Sequence, residues 1–381
     1  MRKTAASIQR NTATVPHRVV DFGDLMSEWA PELHFLARAH DQHERETIEH
    51  LSRSGLNNIG WIQDGPDFED GDLIVPAHGK LQSPVIYREG DRHHALQVTN
   101  RCNSKCLMCS QPPTTQNDDW MLEEAYMAVN TIRKMPDVLG ISGGEPLLNA
   151  KGLRRLIDLA HSKRPDTLIE VLSNGRGFYH GAIVDAALQG QLDGVRWLIP
   201  LYGHCDYLHD YVVQSAGAFE ETLCGLLELQ RRNQPIQLRI VLIRPVLEAL
   251  SALCRFIGKN LPFVSEVALM ACEPIGFALA NRAICEVDLK DWHGQLLEAA
   301  EELDNYHVPY VFMNAPLCSL PAELQPAAHR SISDWKNVYD QECQSCSMKN
   351  RCCGLFAWYE KGWQPTKIQA IKEVYSEEVC N

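Results

Sequence analysis

The chain has 381 residues, 45% hydrophobic and 22% charged, an ordinary composition for a soluble globular enzyme. Its 36 Lys and Arg stand against 49 Asp and Glu, a formal net charge of −13, which argues against general nucleic-acid binding, since that depends on neutralising phosphates. At about 150 residues per domain the length allows two or three domains, or one α/β barrel with additions.

In chain order, the first part differs in character from the rest. It opens Pro-, Ser- and Thr-rich, and "LMSEWAPELHFLARAHDQHERETIEHLSRSG" then reads as helical. "GDLIVPAHGKLQSPVIYREGD" follows as short strands between Gly and Pro turns. Residues 1–92 are therefore expected to form a small N-terminal α+β segment, open to a role in partner or peptide recognition. From Leu96 onward β-rich runs alternate with helical ones. "ALQVTN" precedes the helical "WMLEEAYMAVNTIRKM", for which Asp118 or Asp119 is an available N-cap. "DVLGIS", "TLIEVLSN", "GVRWLIPLY", "IQLRIVLI" and "FVSEVALM" follow as strands, separated by helices such as "AKGLRRLIDLAHSK". Six strands joined by helices predict a parallel sheet buried on both faces, a partial (β/α)6 TIM-like barrel over 93–285. After Pro274 the pattern loosens, and 286–381 reads as a cysteine-rich C-terminal extension.

Fourteen cysteines are too many for chance. The opening "MRKTAASIQRNTATVPHRVV" has no apolar core of a signal peptide, and no run of about 18 apolar residues would span a membrane. The expectation is a cytoplasmic protein whose cysteines ligate metal rather than form a disulfide framework. Cys102, Cys106 and Cys109 crowd into eight positions of "NRCNSKCLMCSQPP". Buried free thiols, or three ligands of a zinc whose fourth lies elsewhere, are the bland readings. The sharper one is an iron–sulfur cube held by three thiolates, with one iron left open to a chelating small molecule.

This cysteine motif after a first strand resembles that of the radical S-adenosylmethionine enzymes, although the position before the last cysteine, usually aromatic there, is Met108. The resemblance implies that the open iron of a [4Fe–4S] cluster is chelated by the amino and carboxylate groups of S-adenosylmethionine. Reductive cleavage then releases a 5′-deoxyadenosyl radical. It also implies that "SGGEP", with Gly143, Gly144, Glu145 and Pro146, holds the methionine amino group. By chemistry alone, two glycines let backbone approach a ligand closely and Glu145 can accept from an ammonium; a plain turn into a helix competes with this. Ser173 and Asn174 of "LSNG" stand at a strand end where they can meet ribose or carboxylate oxygens, or simply form a turn. Arg239, on a strand, needs a carboxylate partner: that of the methionine, or an internal Glu or Asp. Glu273 and Gly276 of "CEPIG" are read as lining the barrel mouth. His204 and His209 carry no assignment.

A second group lies in "PLCSLP" and "DQECQSCSMKNRCCGLF". Cys318, Cys343, Cys346 and Cys352 make four thiolates, suited to zinc or to an iron–sulfur cluster. Many peptide-modifying radical enzymes carry Cys-x2-Cys-x5-Cys-x-Gly in a domain for an auxiliary [4Fe–4S] cluster. The resemblance maps this onto Cys343, Cys346, Cys352 and Gly354, with Cys352 and Cys353 both open as the ligand. Cys205, Cys224, Cys254, Cys272, Cys285 and Cys380 are read as core or incidental thiols.

Together with "SGGEPLL", "LHDYVVQSAGAF", "EPIGFALAN" and "SISDWKNVYDQECQSC", the motifs resemble the radical maturases of the His-Xaa-Ser peptide-modification system over about residues 75–357. That implies hydrogen abstraction from a ribosomally made precursor peptide and a flavodoxin- or ferredoxin-like electron donor, with a companion maturase also open. No membrane or nucleic-acid partner is expected. Two other classes stay open: a small-molecule radical enzyme resembling a deazapurine synthase, and a non-catalytic zinc-stabilised binding module.

Overall fold

The computed structural model describes residues 2–9, 12–77, 82–190, 192–359, 363 and 367–372; Cys380 lies outside them. By its internal packing the chain divides into two compact units, Met1–Thr99 with Asn117–Glu170, and Asn100–Gln116 with Val171–Asn381.

The N-terminal segment builds its own six-stranded sheet. β1 (Arg2–Thr4), β2 (His17–Asp21), β3 (Phe35–Ala39), β4 (Ile59–Gln63), β5 (Leu73–Ile74) and β6 (Ser83–Tyr87) take the order β1-β6-β5-β2-β3-β4. β2, β3 and β4 run parallel, and the remaining pairs are antiparallel. This corrects the expectation of one long helical stretch. The chain makes a short helix, Leu25–Glu28, then β3, then the helix Gln42–Arg53. Pro31 disfavours helical backbone at the residue before it. "FLARA" is a central strand with Phe35, Leu36, Ala37 and Ala39 all buried, and a run buried on both faces lacks the alternation that would mark it. Asp41 then restarts the helix, its carboxylate accepting the Glu44 N–H at 2.8 Å, while Glu44 reaches back to the His40 N–H at 2.8 Å.

Seven further strands form one parallel sheet. They are β7 (His94–Gln97), β8 (Val138–Ser142), β9 (Leu168–Leu172), β10 (Val195–Pro200), β11 (Ile236–Leu242), β12 (Glu266–Ala271) and β13 (Tyr310–Met313). They follow one another in linear order, so the sheet stays open, with β7 and β13 at its ends. The helices Trp120–Thr131, Ala150–Lys163, Gly181–Leu188, Ala218–Arg231 and Leu250–Asn260 alternate with the strands as the periodicity predicts. The expected count of six is corrected to seven. β13 pairs with β12 from Val267↔Tyr310 to Met270↔Met313, and as a four-residue edge strand with only Phe312 fully buried it gives a weak pattern. The N-cap of the helix Trp120–Thr131 is Asp119, which makes no side-chain cap bond; the Asp118 carboxylate instead accepts from the Thr99 hydroxyl at 3.0 Å.

Beyond β13 the chain runs through short 3-10 turns and one small antiparallel pair, β14 (Asn337–Val338) and β15 (Leu355–Phe356). Among the described residues no helix is long and apolar enough to cross a membrane.

Trp197 anchors the interior of the second unit. It is fully buried, meets Phe178 edge-on at 4.9 Å, and donates its indole N–H to Gln234 at 3.2 Å. Trp197→Ala is expected to cost about 3–5 kcal/mol, read as a lower urea midpoint at unchanged slope.

Candidate metal centre and cofactor site

Residues 100–116 form neither helix nor strand, so their backbone polar groups need partners from elsewhere. The Thr114 N–H closes the loop on the Asn100 carbonyl at 3.0 Å. Lys105 and Leu107 donate their N–H groups to the Val213 and Val212 carbonyls at 3.0 and 2.9 Å. Those are the last two carbonyls of the helix Asp206–Val213, which a helix end leaves unpaired. Asn281 donates to the Leu107 carbonyl at 2.9 Å. Phe277 donates its N–H to the Cys109 carbonyl at 2.8 Å. That approach requires Gly276: its φ is +64°, and a Cβ there would overlap the Cys109 oxygen and lie 2.8 Å from the Ser110 oxygen.

This frame carries the first cysteines. Burial, and then the neighbouring Cys109 and Cys102 sulfurs, push the Cys106 thiol up to about 12. Burial also raises Cys109. Thiols so placed hold their protons until a metal displaces them. The Cys102 sulfur accepts the Ser104 N–H at 3.4 Å, and Met108 is buried beneath the loop.

The "LSNG" turn reaches this loop. The Asn174 amide donates to the Asn103 side chain at 2.6 Å and its oxygen accepts the Arg176 N–H at 3.0 Å. The Ser173 hydroxyl accepts the Gly175 N–H at 3.0 Å. Arg176, which the sequence reading passed over, is the staple. It is buried, donates to the Asn103 carbonyl and the Ser104 hydroxyl at 2.8 Å each, and pairs with Glu221 at 2.6 Å. Its only signal in the sequence was its place directly after the turn glycine.

Tyr202 was also missed. It is 6% exposed and lies within electrostatic reach of Cys106, Cys109, Cys272 and Arg239. Arg239 donates Nε to Gln237 at 3.1 Å, and the Gln237 amide passes on to the Glu266 carboxylate. Glu273 pairs with Lys336 at 3.2 Å, whose ammonium lies over the Trp335 and Trp358 rings at 5.3 and 5.1 Å. The "SISDWKN" segment is thereby tied to the turn after β12.

In the other unit, the Gly144 N–H donates to the Thr99 carbonyl at 2.8 Å, and a Cβ on Gly143 would lie 2.5 Å from that oxygen. Glu145 is buried, and one of its oxygens accepts the Leu147 N–H at 2.9 Å. Pro146 opens the 3-10 turn that follows.

The second cysteine group converges on one cavity lined by Cys318, Cys343, Cys346 and Cys352, with Tyr339 and Lys349 among its walls. Three backbone N–H groups point at its sulfurs: Leu317 and Gly354 at Cys352, and Ile371 at Cys346, each at 3.4 Å. Geometry separates Cys352 from Cys353. Cys353 leaves the cavity for an apolar cluster with Ile332 and Phe356. A hydrogen bond with Cys353 draws the Cys352 thiol down to about 6 and holds the Cys353 thiol high. Among the described residues no three His, Cys, Asp or Glu side chains are gathered to grip a single metal ion; the four thiols stand around a cavity, not about one point. Cys254, Cys272 and Cys285 are buried, and Cys205 and Cys224 half-buried.

Of the two unassigned histidines, His204 is exposed and His209 is buried with Nδ1 accepting the Tyr202 N–H at 3.2 Å. A protonated ring has no acceptor there. Burial lowers His209 to about 4, against a raising effect of Asp210 and a lowering effect of Arg176. As pH falls from about 6.5 toward 4, the unfolded chain takes up a proton that the folded one refuses. Stability is therefore full above that window and declines through it, by up to ~3 kcal/mol. Urea titrations at stepped pH check this, and His209→Asn, which keeps an acceptor, should flatten that part of the profile.

No family model matches the chain. It is similar to an uncharacterized protein, MJ0907, of Methanocaldococcus jannaschii, at 33% identity over 72 residues, 18% of this chain and 25% of the relative; the matched segment thus spans a quarter of that protein's length. Among solved structures it is similar to Streptococcus suis SuiB bound to S-adenosylmethionine (TM-score 0.45, 11% identity, 57% of this chain and 49% of that one). It is also similar to a radical SAM methyltransferase from Sphaerobacter thermophilus (TM-score 0.42, 14% identity, 64% and 69%). A third is anSMEcpe with bound AdoMet and the Cp18Cys peptide (TM-score 0.43, 12% identity, 57% and 62%).

Proposed function

We propose that this chain is a radical S-adenosylmethionine enzyme that modifies a ribosomally made precursor peptide, of the kind found in the His-Xaa-Ser system. The observation that carries the reading is the irregular loop that holds Cys102, Cys106 and Cys109 on a backbone fixed from three sides. Three thiolates would bind a [4Fe–4S] cluster and leave one iron to S-adenosylmethionine. When bound, the cluster and co-substrate supply a 5′-deoxyadenosyl radical, and the protein contributes orientation and exclusion of water.

In this reading Gly143 and Gly144 offer close backbone, and Glu145, set by the Pro146 turn, takes the methionine amino group. Ser173 and Asn174 serve ribose or carboxylate oxygens, and Arg239 serves the methionine carboxylate. Cys318, Cys343, Cys346 and Cys352 hold the auxiliary [4Fe–4S] cluster. The cavity that all four line is where that cluster would sit. Residues 1–92 and 286–381 flank the catalytic region as separate segments, the first a candidate for peptide or partner recognition. The electron donor is flavodoxin- or ferredoxin-like, a companion maturase takes part where the system has one, and the setting is the cytoplasm.

Anaerobic reconstitution tests this directly: brown protein with about eight irons should release 5′-deoxyadenosine on reduction with S-adenosylmethionine. Loss of that product in Cys106→Ala is expected, and colourless protein carrying zinc would overturn the reading. Coexpression with a precursor peptide, followed by mass spectrometry, tests the substrate class. Cys352→Ala should halve the iron to about four per chain, whereas Cys353→Ala should leave it unchanged.

A further inference from the structure

Residues 367–372 form neither helix nor strand, yet both ends of the segment are tied down. At the first end the Lys367 N–H donates to the Asp288 carboxylate at 3.3 Å. The Lys290 ammonium donates to the Lys367 carbonyl at 2.7 Å and to the Gln369 side-chain oxygen at 3.2 Å. Both anchors belong to one 3-10 turn, Leu289–Trp292, which Asp288 caps by accepting the Lys290 N–H at 3.1 Å. At the other end Ser347 donates its N–H and its hydroxyl to the Ile371 carbonyl, at 3.0 and 2.9 Å. The Ile371 N–H returns to the Cys346 sulfur at 3.4 Å. Within this span Ile368, Gln369 and Ile371 are walls of the cavity that the four C-terminal thiols line. Lys367, Gln369 and Lys372 are exposed, while Ile368, Ala370 and Ile371 are half-buried.

The attachment is polar and near the surface. Exposed hydrogen bonds outside regular structure belong to the part of a fold that opens locally without global unfolding. The bond to Cys346 depends on what the site holds: a thiol is a weak acceptor, and a metal-bound thiolate a strong one.

We propose that residues 367–372 are a strap that gates the second cysteine site, opening to pass metal and closing over the bound group through the Ile371 N–H. The inference rests on the assignment, in the function proposed above, of Cys318, Cys343, Cys346 and Cys352 to one metal group. The gate works alike for iron and for zinc.

Lys290→Ala combined with Ser347→Ala removes side-chain anchors at both ends and leaves every cysteine in place. Cluster-free, reduced wild type and variant would be pulsed with N-ethylmaleimide, and the labelling rate of each cysteine followed by mass spectrometry. The four C-terminal cysteines should label roughly tenfold faster in the variant, the worth of about one hydrogen bond to a charged group. Cys102, Cys106 and Cys109 should label as in wild type. Equal rates at the C-terminal four would overturn the proposal and leave the function standing. Acceleration of every cysteine, buried Cys254 included, would mark a variant that does not fold, and hydrogen exchange on the wild type then decides. Without metal, the 367–372 amides should exchange faster than those of the helix His293–Asn305, and loading with iron and sulfide, or with zinc, should slow them several-fold. Amides as slow as the helix before loading, or unchanged by a loaded second site, would overturn the gate alone. A second site that takes up neither iron nor zinc would overturn the metal assignment and the gate together.

Discussion

The site depends on holding an irregular loop still. Between Asn100 and Gln116, the stretch that carries three cysteines in eight positions, the chain forms neither helix nor strand. The orphaned backbone groups then become the means of attachment. The helix Asp206–Val213 supplies its unpaired terminal carbonyls to the Lys105 and Leu107 N–H groups, so one end effect of a helix satisfies two donors of the loop. From the other side Phe277 binds the Cys109 carbonyl, an approach only glycine at 276 permits. Arg176 completes the frame, with a buried guanidinium shared between the loop and Glu221.

Both cysteine groups face the same electrostatic difficulty. Bringing thiols together in a half-buried place disfavours their ionised forms, as the raised Cys106 thiol shows, and a cation in their midst reverses the balance. The C-terminal group moderates this with three backbone N–H groups directed at sulfur. Its vicinal pair divides the work: Cys353 sits in an apolar cluster with its thiol donating to the Gly354 carbonyl at 3.5 Å, and Cys352 lines the cavity. Gly354, at φ +67°, lets the chain pass close to the Val338 carbonyl, whose oxygen would lie 2.6 Å from a Cβ at that position.

The N-terminal sheet deals with its edges economically. β1 pairs with β6 at one end of the sheet, and the same run of chain then bridges Ile8 to Ile62 on β4 at the other. The Gln9 N–H to Trp61 and the Gln63 N–H to Ser7, at 2.9 and 2.8 Å, complete that bridge. A partner docking by strand addition would find the β4 end already engaged.

The parallel sheet was legible because β8 to β11 are rich in Val, Ile and Leu and their helices carry strong 3.6-residue periodicity, as in Ala150–Lys163 with Leu153, Leu156, Ile157 and Ala160 buried. Local pattern reports local structure well where an element has one apolar face. It failed at β3, buried on both faces, and at β13, a short edge strand whose burial alternates weakly. Cysteine spacing alone marked out Cys102, Cys106 and Cys109, and the later four, because ligands close in sequence are close in space whatever the fold. Arg176 and Tyr202 carry no such mark. What the Arg176 side chain meets is set by segments tens of residues away, Asn103 and Glu221, and the Tyr202 ring stacks on His209 from the helix that follows it. The choice between Cys352 and Cys353 was likewise decided only in three dimensions: adjacent residues share a sequence neighbourhood, but only one of them opens onto the cavity.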